Sequence, residues 1–312
     1  MITTLSSFLT VGTQVAILFI LVGVGFLLGK LKKIDEHTSL GLTDLVIYVI
    51  SPAMQVVAFQ RPLEEKTLHL FGVQILLAAA VQILVILLIL PAVRSKDARR
   101  RRTLQFSASF SNCGFMAFPL QTSLLGSIGI FYGSAYSVVF AVLVWTFGVY
   151  LLTGDKRQLN WKPLLLNPGI IGSAVALTLY LGKITLPPIL FRPLELLSYL
   201  NTPLPMLILG YQLSQADLRS AFRGWDTWCS AGMRLIVSPL CAIALCWLFH
   251  VDKTVAMATV IAASAPPAML LSMFSAKFGG DTSLSSSVVS FHTLLSALTM
   301  PLMLALAQMI LR

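Results

Sequence analysis

Charge is what this chain has least of: Asp, Glu, Lys and Arg make up 11% of its 312 residues, apolar residues make up 57%, and the mean hydropathy is +0.86. No soluble domain of ordinary composition fits such a sequence. Cysteine is also sparse. Cys113, Cys229, Cys241 and Cys246 all lie in apolar segments and show no CxxC spacing, which argues against a disulfide framework and against a metal knuckle. Histidine occurs four times, and neither an HExxH nor a GxSxG motif is present, so the usual signatures of zinc and serine hydrolases are missing. Of the 34 ionisable carboxylate, ammonium and guanidinium groups, 22 are basic, giving a net charge of +10. They fall in short connectors without interleaved aromatic residues, which excludes the pattern of a nucleic-acid surface.

Long apolar runs are what remains. Ile2 to Gly29, Leu70 to Val93 and Thr103 to Gly154 carry no charge, and a membrane-spanning helix needs about 20 such residues. Continuous runs such as Leu76 to Leu90 do not alternate, which excludes a transmembrane β-barrel. The hydropathy predicts spans near Val11–Gly29, Ser39–Phe59, Leu68–Leu90, Thr103–Leu125, Ile128–Thr153, Pro163–Gly182, Ile189–Leu213, Trp225–Phe249, Thr254–Phe278 and Leu284–Ile310. The fold class expected is an all-α membrane protein of about ten spans. The N-terminal stretch lacks a basic lead and a small-residue cleavage site and is expected to be a permanent span rather than a signal peptide.

With the N-terminus outside, the inner connectors hold Lys30, Lys32, Lys33, Arg94, Lys96, Arg99, Arg100, Arg101, Arg102, Lys156, Arg157, Lys162, Arg219, Arg223 and Lys277. The outer ones hold only Arg61, Lys66, Lys183, Arg192, Lys253 and Arg312. Positive residues favour the cytoplasmic side, so both termini are expected outside the cytoplasm, in an inner (plasma) membrane. The run Arg99 to Arg102 reads as a topology anchor.

An odd number of spans per half turns the second half upside down, so residues 1–158 and 159–312 are expected to form two inverted five-span repeats. Traces of the repeat are visible. Asp44 precedes Pro52 at the same spacing as Glu195 precedes Pro203, Ser51 and Thr202 stand before the two prolines, and spans one and six end in Leu-Gly-Lys at residues 28–30 and 181–183. Spans four and nine are both interrupted. Ser111-Asn112-Cys113-Gly114 is poor helix chemistry at mid-membrane, and Pro266-Pro267 removes two backbone donors in succession. Where broken helices cross, half-helix N-termini offer free N–H groups and a positive dipole end, a natural place for a carboxylate.

The motifs Ser111-Asn112 through Phe118-Pro119-Leu120, Asn167-Pro168, Asn201-Thr202-Pro203-Leu204-Pro205 with Gly210, and Ala265-Pro266-Pro267 with Ala276-Lys277 together resemble the auxin efflux carrier family. That family includes the plant PIN exporters and bacterial carriers related to malonate and malate transporters. The resemblance covers essentially the whole chain. It implies a ten-span inverted repeat of the NhaA and bile-acid-symporter architecture, with a scaffold, a transport domain holding the crossing helices, and elevator-like alternating access. It also implies that Asn112 faces the substrate carboxylate. Ser111 stands where the family usually has a proline, and Pro267 replaces a polar residue often found there.

The candidate substrate-binding residues are therefore Ser111, Asn112, Cys113, Gly114, Pro266, Pro267 and Arg234. Asn112 fits two roles, a substrate contact or an amide bonding between helices. Arg234, deep in span eight, can either attract an anion or be structurally paired. Asp44 and Glu195 are candidates for coupling to a cation, although both stand near span ends. His292 and the serines 285, 286, 287 and 290 read as packing. No cofactor and no metal is called for. The partners expected are a small organic anion, membrane lipids and a second copy of the chain, without nucleic acid.

An intramembrane enzyme is the rival reading, and it would need ligands or a nucleophile and base brought together; the spans hold only Asp44, Glu195 and His292, far apart in sequence. A channel would need a repeating polar lining. The topology is testable by reporter fusions: fusions in the connector at residues 94–102 are expected to report the cytoplasm and fusions at residues 61–66 the opposite side.

Overall fold

The computed structural model describes residues 2–155, 157, 162–218, 222 and 224–311, with side chains described from Val11 onward except at Pro163. Lys156, Arg219, Arg223 and Arg312, and the expected boundary between the halves at residues 158 and 159, lie outside the described residues.

Apolar sequence becomes helix here because hydrocarbon offers backbone groups no partner, so each N–H and C=O must bond within its own segment. In chain order the helices are α1 (Ile2–Lys30), α2 (Glu36–Phe59), α3 (Glu65–Ala92), α4a (Ala98–Ser109), α4b (Cys113–Leu125), α5 (Ser127–Thr153), α6 (Pro168–Leu181), α7a (Pro188–Tyr199), α7b (Pro203–Gln215), α8 (Trp225–Leu248), α9a (Lys253–Ser264), α9b (Leu270–Lys277) and α10 (Thr282–Ile310). The described residues form no strand beyond a single bridge. Helices α1, α2, α3, α5, α8 and α10 are each long and apolar enough to cross a membrane alone. The fourth, seventh and ninth spans are divided.

The breaks in spans four and nine fall where the sequence places them. The break in span seven does not, because the sequence there reads as one span from Ile189 to Leu213. Its cause is local: Pro203 and Pro205 cannot donate back to the carbonyls of Tyr199 and Asn201, so the helix stops and restarts at Pro203. Other prolines are absorbed without a break. Pro52, Pro119 and Pro239 each follow a widened π turn, at Val46–Ile50, Cys113–Ala117 and Met233–Val237. Such a turn shifts the hydrogen-bond register just ahead of the missing donor.

Two groups of helices pack together. Helices α1, α2, α6 and α7 form one group, in which α1 lies along α7b and α6 along α2; α3, α4, α5, α8, α9 and α10 form the other, and the groups meet where α10 packs on α1 and α5 on α2. Exchanging the two five-helix halves maps these neighbours onto one another. The pair α1 and α7 becomes α6 and α2, α3 with α5 becomes α8 with α10, α9 with α5 becomes α4 with α10, and α4 with α9 maps onto itself. The halves are thus a structural repeat, and five spans in each make it an inverted one.

The longest contact, α1 against α7b, depends on small residues. A Cβ at Gly25 would overlap the Leu207 carbonyl, one at Gly210 the Val22 carbonyl, and one at Gly29 the Ser214 hydroxyl. The spacing Gly25-x3-Gly29 facing Gly210-x3-Ser214 lets the two backbones touch, the way helices associate where lipid removes the hydrophobic drive between them. Gly210→Ala is expected to push α7b off α1 and destabilise the protein by about 1–3 kcal/mol, read as a lower melting temperature in detergent, whereas Gly12→Ala, where a Cβ meets nothing, leaves it unchanged.

Candidate functional site

The two breaks meet. Residues 110–112 and 266–268 run antiparallel, with Ser111 opposite Pro267. The Asn112 N–H donates to the Pro266 carbonyl at 2.7 Å, and the Ala268 N–H donates to the Phe110 carbonyl at 2.9 Å. Each break satisfies backbone groups that the other has freed. Phe110 and Ala265 are both extended, the latter as expected before proline. The pattern is unchanged when the strands are exchanged, so the pseudo-two-fold axis of the repeat passes through the bridge.

The helix ends on either side of the bridge are treated differently. Helices α4a and α9a end there, leaving carbonyls without helical partners and two negative dipole ends. Arg234 of α8, 1% exposed, serves both. Its Nη1 donates to the carbonyls of Ala108 and Ser109, each at 3.2 Å, and its Nη2 donates to the Ala263 carbonyl and, at 2.6 Å, to the Ser238 hydroxyl. Charge-assisted bonds of this kind contribute about 1.5–3 kcal/mol each. Of the two roles open to Arg234, attracting an anion and structural pairing, the structure shows the second: its guanidinium is bonded to the two helix C-termini.

At the opposite ends, α4b and α9b begin. The Asn112 side chain caps α4b, its Oδ1 accepting from the Phe115 N–H at 3.1 Å, while its Nδ2 is buried without a partner. Helix α9b starts with no side-chain cap. A Cβ built on Gly114 meets no atom within 4 Å, so space adjoins the first turn of α4b. Cys113 accepts a 3.5 Å hydrogen bond from the Ser137 hydroxyl of α5. Among the buried described residues there is no Asp, Glu or Lys. The crossing therefore joins two unneutralised helix N-termini, a free amide donor and open space.

The other candidates lie elsewhere. Asp44 is exposed on α2. Glu195 forms an ion pair with Arg192, four residues into α7a. His292 is buried, with Nε2 3.3 Å from the Thr227 carbonyl, and Ser285 bonds Ser275 at 2.6 Å, tying α10 to α9b. No group of His, Cys, Asp and Glu suited to a metal ion occurs among the described residues.

Two features were missed in the sequence. The first is a polar stripe on α8, Thr227, Ser230, Arg234 and Ser238, every member buried. Ser230 lies 2.8 Å from the Ser107 hydroxyl and donates to the Leu104 carbonyl at 2.9 Å, so α8 is stitched along α4a. Its helical spacing was legible and marks α8 as part of the crossing. The second is the place of Asn201, named in the sequence only as part of a motif, at the α7 break: it is 2% exposed, its Oδ1 accepts from Ser51 at 3.2 Å and its Nδ2 has no partner. At the far end of α4a, Arg100 grips Asp226 through two bonds of 2.6 and 2.8 Å and Thr227 at 3.0 Å, and Arg102 caps α5 at the Thr153 carbonyl. Two of the four arginines in the run thus hold helix ends.

The sequence pattern of a family described as membrane transport protein matches the chain twice, over residues 10–162 and 157–304. An uncharacterised transporter of Methanothermobacter thermautotrophicus is 26% identical over 296 residues, covering 91% of this chain and 94% of the relative. A second, from Methanocaldococcus jannaschii, is 26% identical over 301 residues, covering 92% and 96%. Two matches, one in each half, repeat in sequence what the helix packing repeats in space, and the chain belongs to the membrane transport protein family, that of the auxin efflux carriers.

Proposed function

We propose that this transporter is a carrier for small organic anions, mono- or dicarboxylates, that binds the carboxylate at the crossing of α4 and α9. The observation that carries the reading is the asymmetry of the crossing: Arg234 occupies its C-terminal ends, while its N-terminal ends keep the free Asn112 amide and the space beside Gly114. Backbone N–H groups and a positive dipole end recognise carboxylate without a cation beside it. Anion uniport or exchange needs no further group. Cation-coupled symport would draw on a carboxylate at the site, and the buried described residues include none, so Asp44 and Glu195 would have to act from a distance.

The elevator component assigns α1, α2, α6 and α7 as the scaffold and the other six spans as the part that moves. It is supported by the way the helices divide into two packing groups, and by the bonds through which α8 and α4a hold together across the crossing. A rigid unit that carries its site past a fixed wall exposes the carboxylate first to one side and then to the other.

Uptake and counterflow in proteoliposomes across malonate, malate and indole-3-acetate test the site. Saturable transport of one carboxylate is expected, falling at least about tenfold in Asn112→Ala, beyond the modest drop in melting temperature that loss of the α4b cap brings. Gly114→Ala, whose methyl enters free space, is expected to fold normally and to raise KM. Absence of carboxylate transport would return the enzyme reading to the front.

A further inference from the structure

Arg234 is the single Asp, Glu, Lys or Arg among the buried described residues, and neither ion pair found among the described residues includes it. Arginine stays protonated in proteins. The carbonyls of Ala108, Ser109 and Ala263 and the Ser238 hydroxyl satisfy its Nη donors but bring no opposite net charge, and its Nε has no partner. His292, the other basic side chain in the buried set, counts as neutral at pH 7. The core of the crossing therefore carries one uncompensated positive charge, in a solvent where a lone charge is costly and normally paired. That charge is bonded to α4a and α9a, so it goes wherever the crossing goes.

We propose that Arg234 is the counter-charge of the transported anion: a bound monocarboxylate brings the buried charge of the crossing to zero, so the loaded carrier crosses neutral and the empty carrier crosses bearing +1. This rests on the reading of the crossing as a moving carboxylate site. Arg234 acts as a positioning residue. It holds the C-terminal ends of α4a and α9a, whereas the free amide and the open space belong to the N-terminal end of α4b. The substrate class that follows is an anion of one negative charge; a dianion would leave the loaded core at −1. Membrane potential then acts on the return of the empty carrier and not on the loaded step, so an inside-negative potential speeds net efflux and slows net uptake while leaving exchange alone.

The experiment compares self-exchange with net flux in proteoliposomes holding defined potassium diffusion potentials, using acetate, lactate, indole-3-acetate and malonate. For the wild type, monocarboxylate exchange is expected to vary less than about twofold over about 100 mV, while net flux varies by up to about 50-fold, the bias on one charge crossing the whole field. Arg234→Gln transfers the charge to the loaded step, and its exchange becomes potential-sensitive; Arg234→Lys keeps exchange flat. If Arg234→Gln does not fold, the wild-type contrast decides alone. Wild-type exchange as sensitive to potential as net flux overturns the role of Arg234 and leaves the carboxylate site standing, as does exchange confined to malonate. Absence of any carboxylate exchange overturns both.

Discussion

A backbone group freed inside the membrane must find a partner within the protein, and the centre of this molecule follows from that constraint. Spans four and nine cannot remain helical at their middles, so each exposes polar backbone where no water is assured. The antiparallel bridge at Ser111 and Pro267 pairs the N–H groups of Asn112 and Ala268 with carbonyls of the opposite strand. Tandem proline suits that position, because Pro266 and Pro267 offer no donors that the bridge would leave unpaired. What the bridge cannot reach, the terminal carbonyls of α4a and α9a, is taken by Arg234.

Arg234 in turn explains α8. A buried guanidinium needs acceptors in a fixed arrangement, and α8 is fixed against α4a by Asp226 and Thr227 in its first turn and by Ser230 one turn on. Electrostatic polarity is the result: negative helix ends meet a resident cation, and positive helix ends meet a neutral amide and open space. An elongated helix pair without a break would have no such polarity at mid-membrane, since dipole charge collects only at termini. The proposed carboxylate site is thus a consequence of how the breaks are repaired on one side and left open on the other.

The rest of the chain manages proline and close approach. Widened turns before Pro52, Pro119 and Pro239 let helices pass a missing donor, whereas Pro203 and Pro205 together exceed what one turn absorbs, and α7 divides. Glycines at 25, 29 and 210 seat α7b on α1, giving one packing group a tight spine of its own. Arg100 and Arg102 tie α4a to α8 and α5, so α4a is anchored at its far end too.

The sequence by itself determined the solvent, the helical class, the ends of most spans and the positions of two breaks, because hydrocarbon and proline act on local sequence with little help from context. It also marked Asn112, Gly114, Pro266 and Pro267 as chemistry out of place in a plain helix. It could not decide what Arg234 touches, since Ala108 and Ala263 reach it from helices over 100 residues apart in the chain. Nor could it show that Asp44 and Glu195, twins in spacing, are an exposed acid and one half of an ion pair. The break in α7 stayed hidden because Pro203 and Pro205 read as part of one continuous span, like the prolines that other helices absorb. Tertiary structure alone decided which helix ends are neutralised and which are left open, because that depends on which half-helices the antiparallel bridge brings side by side.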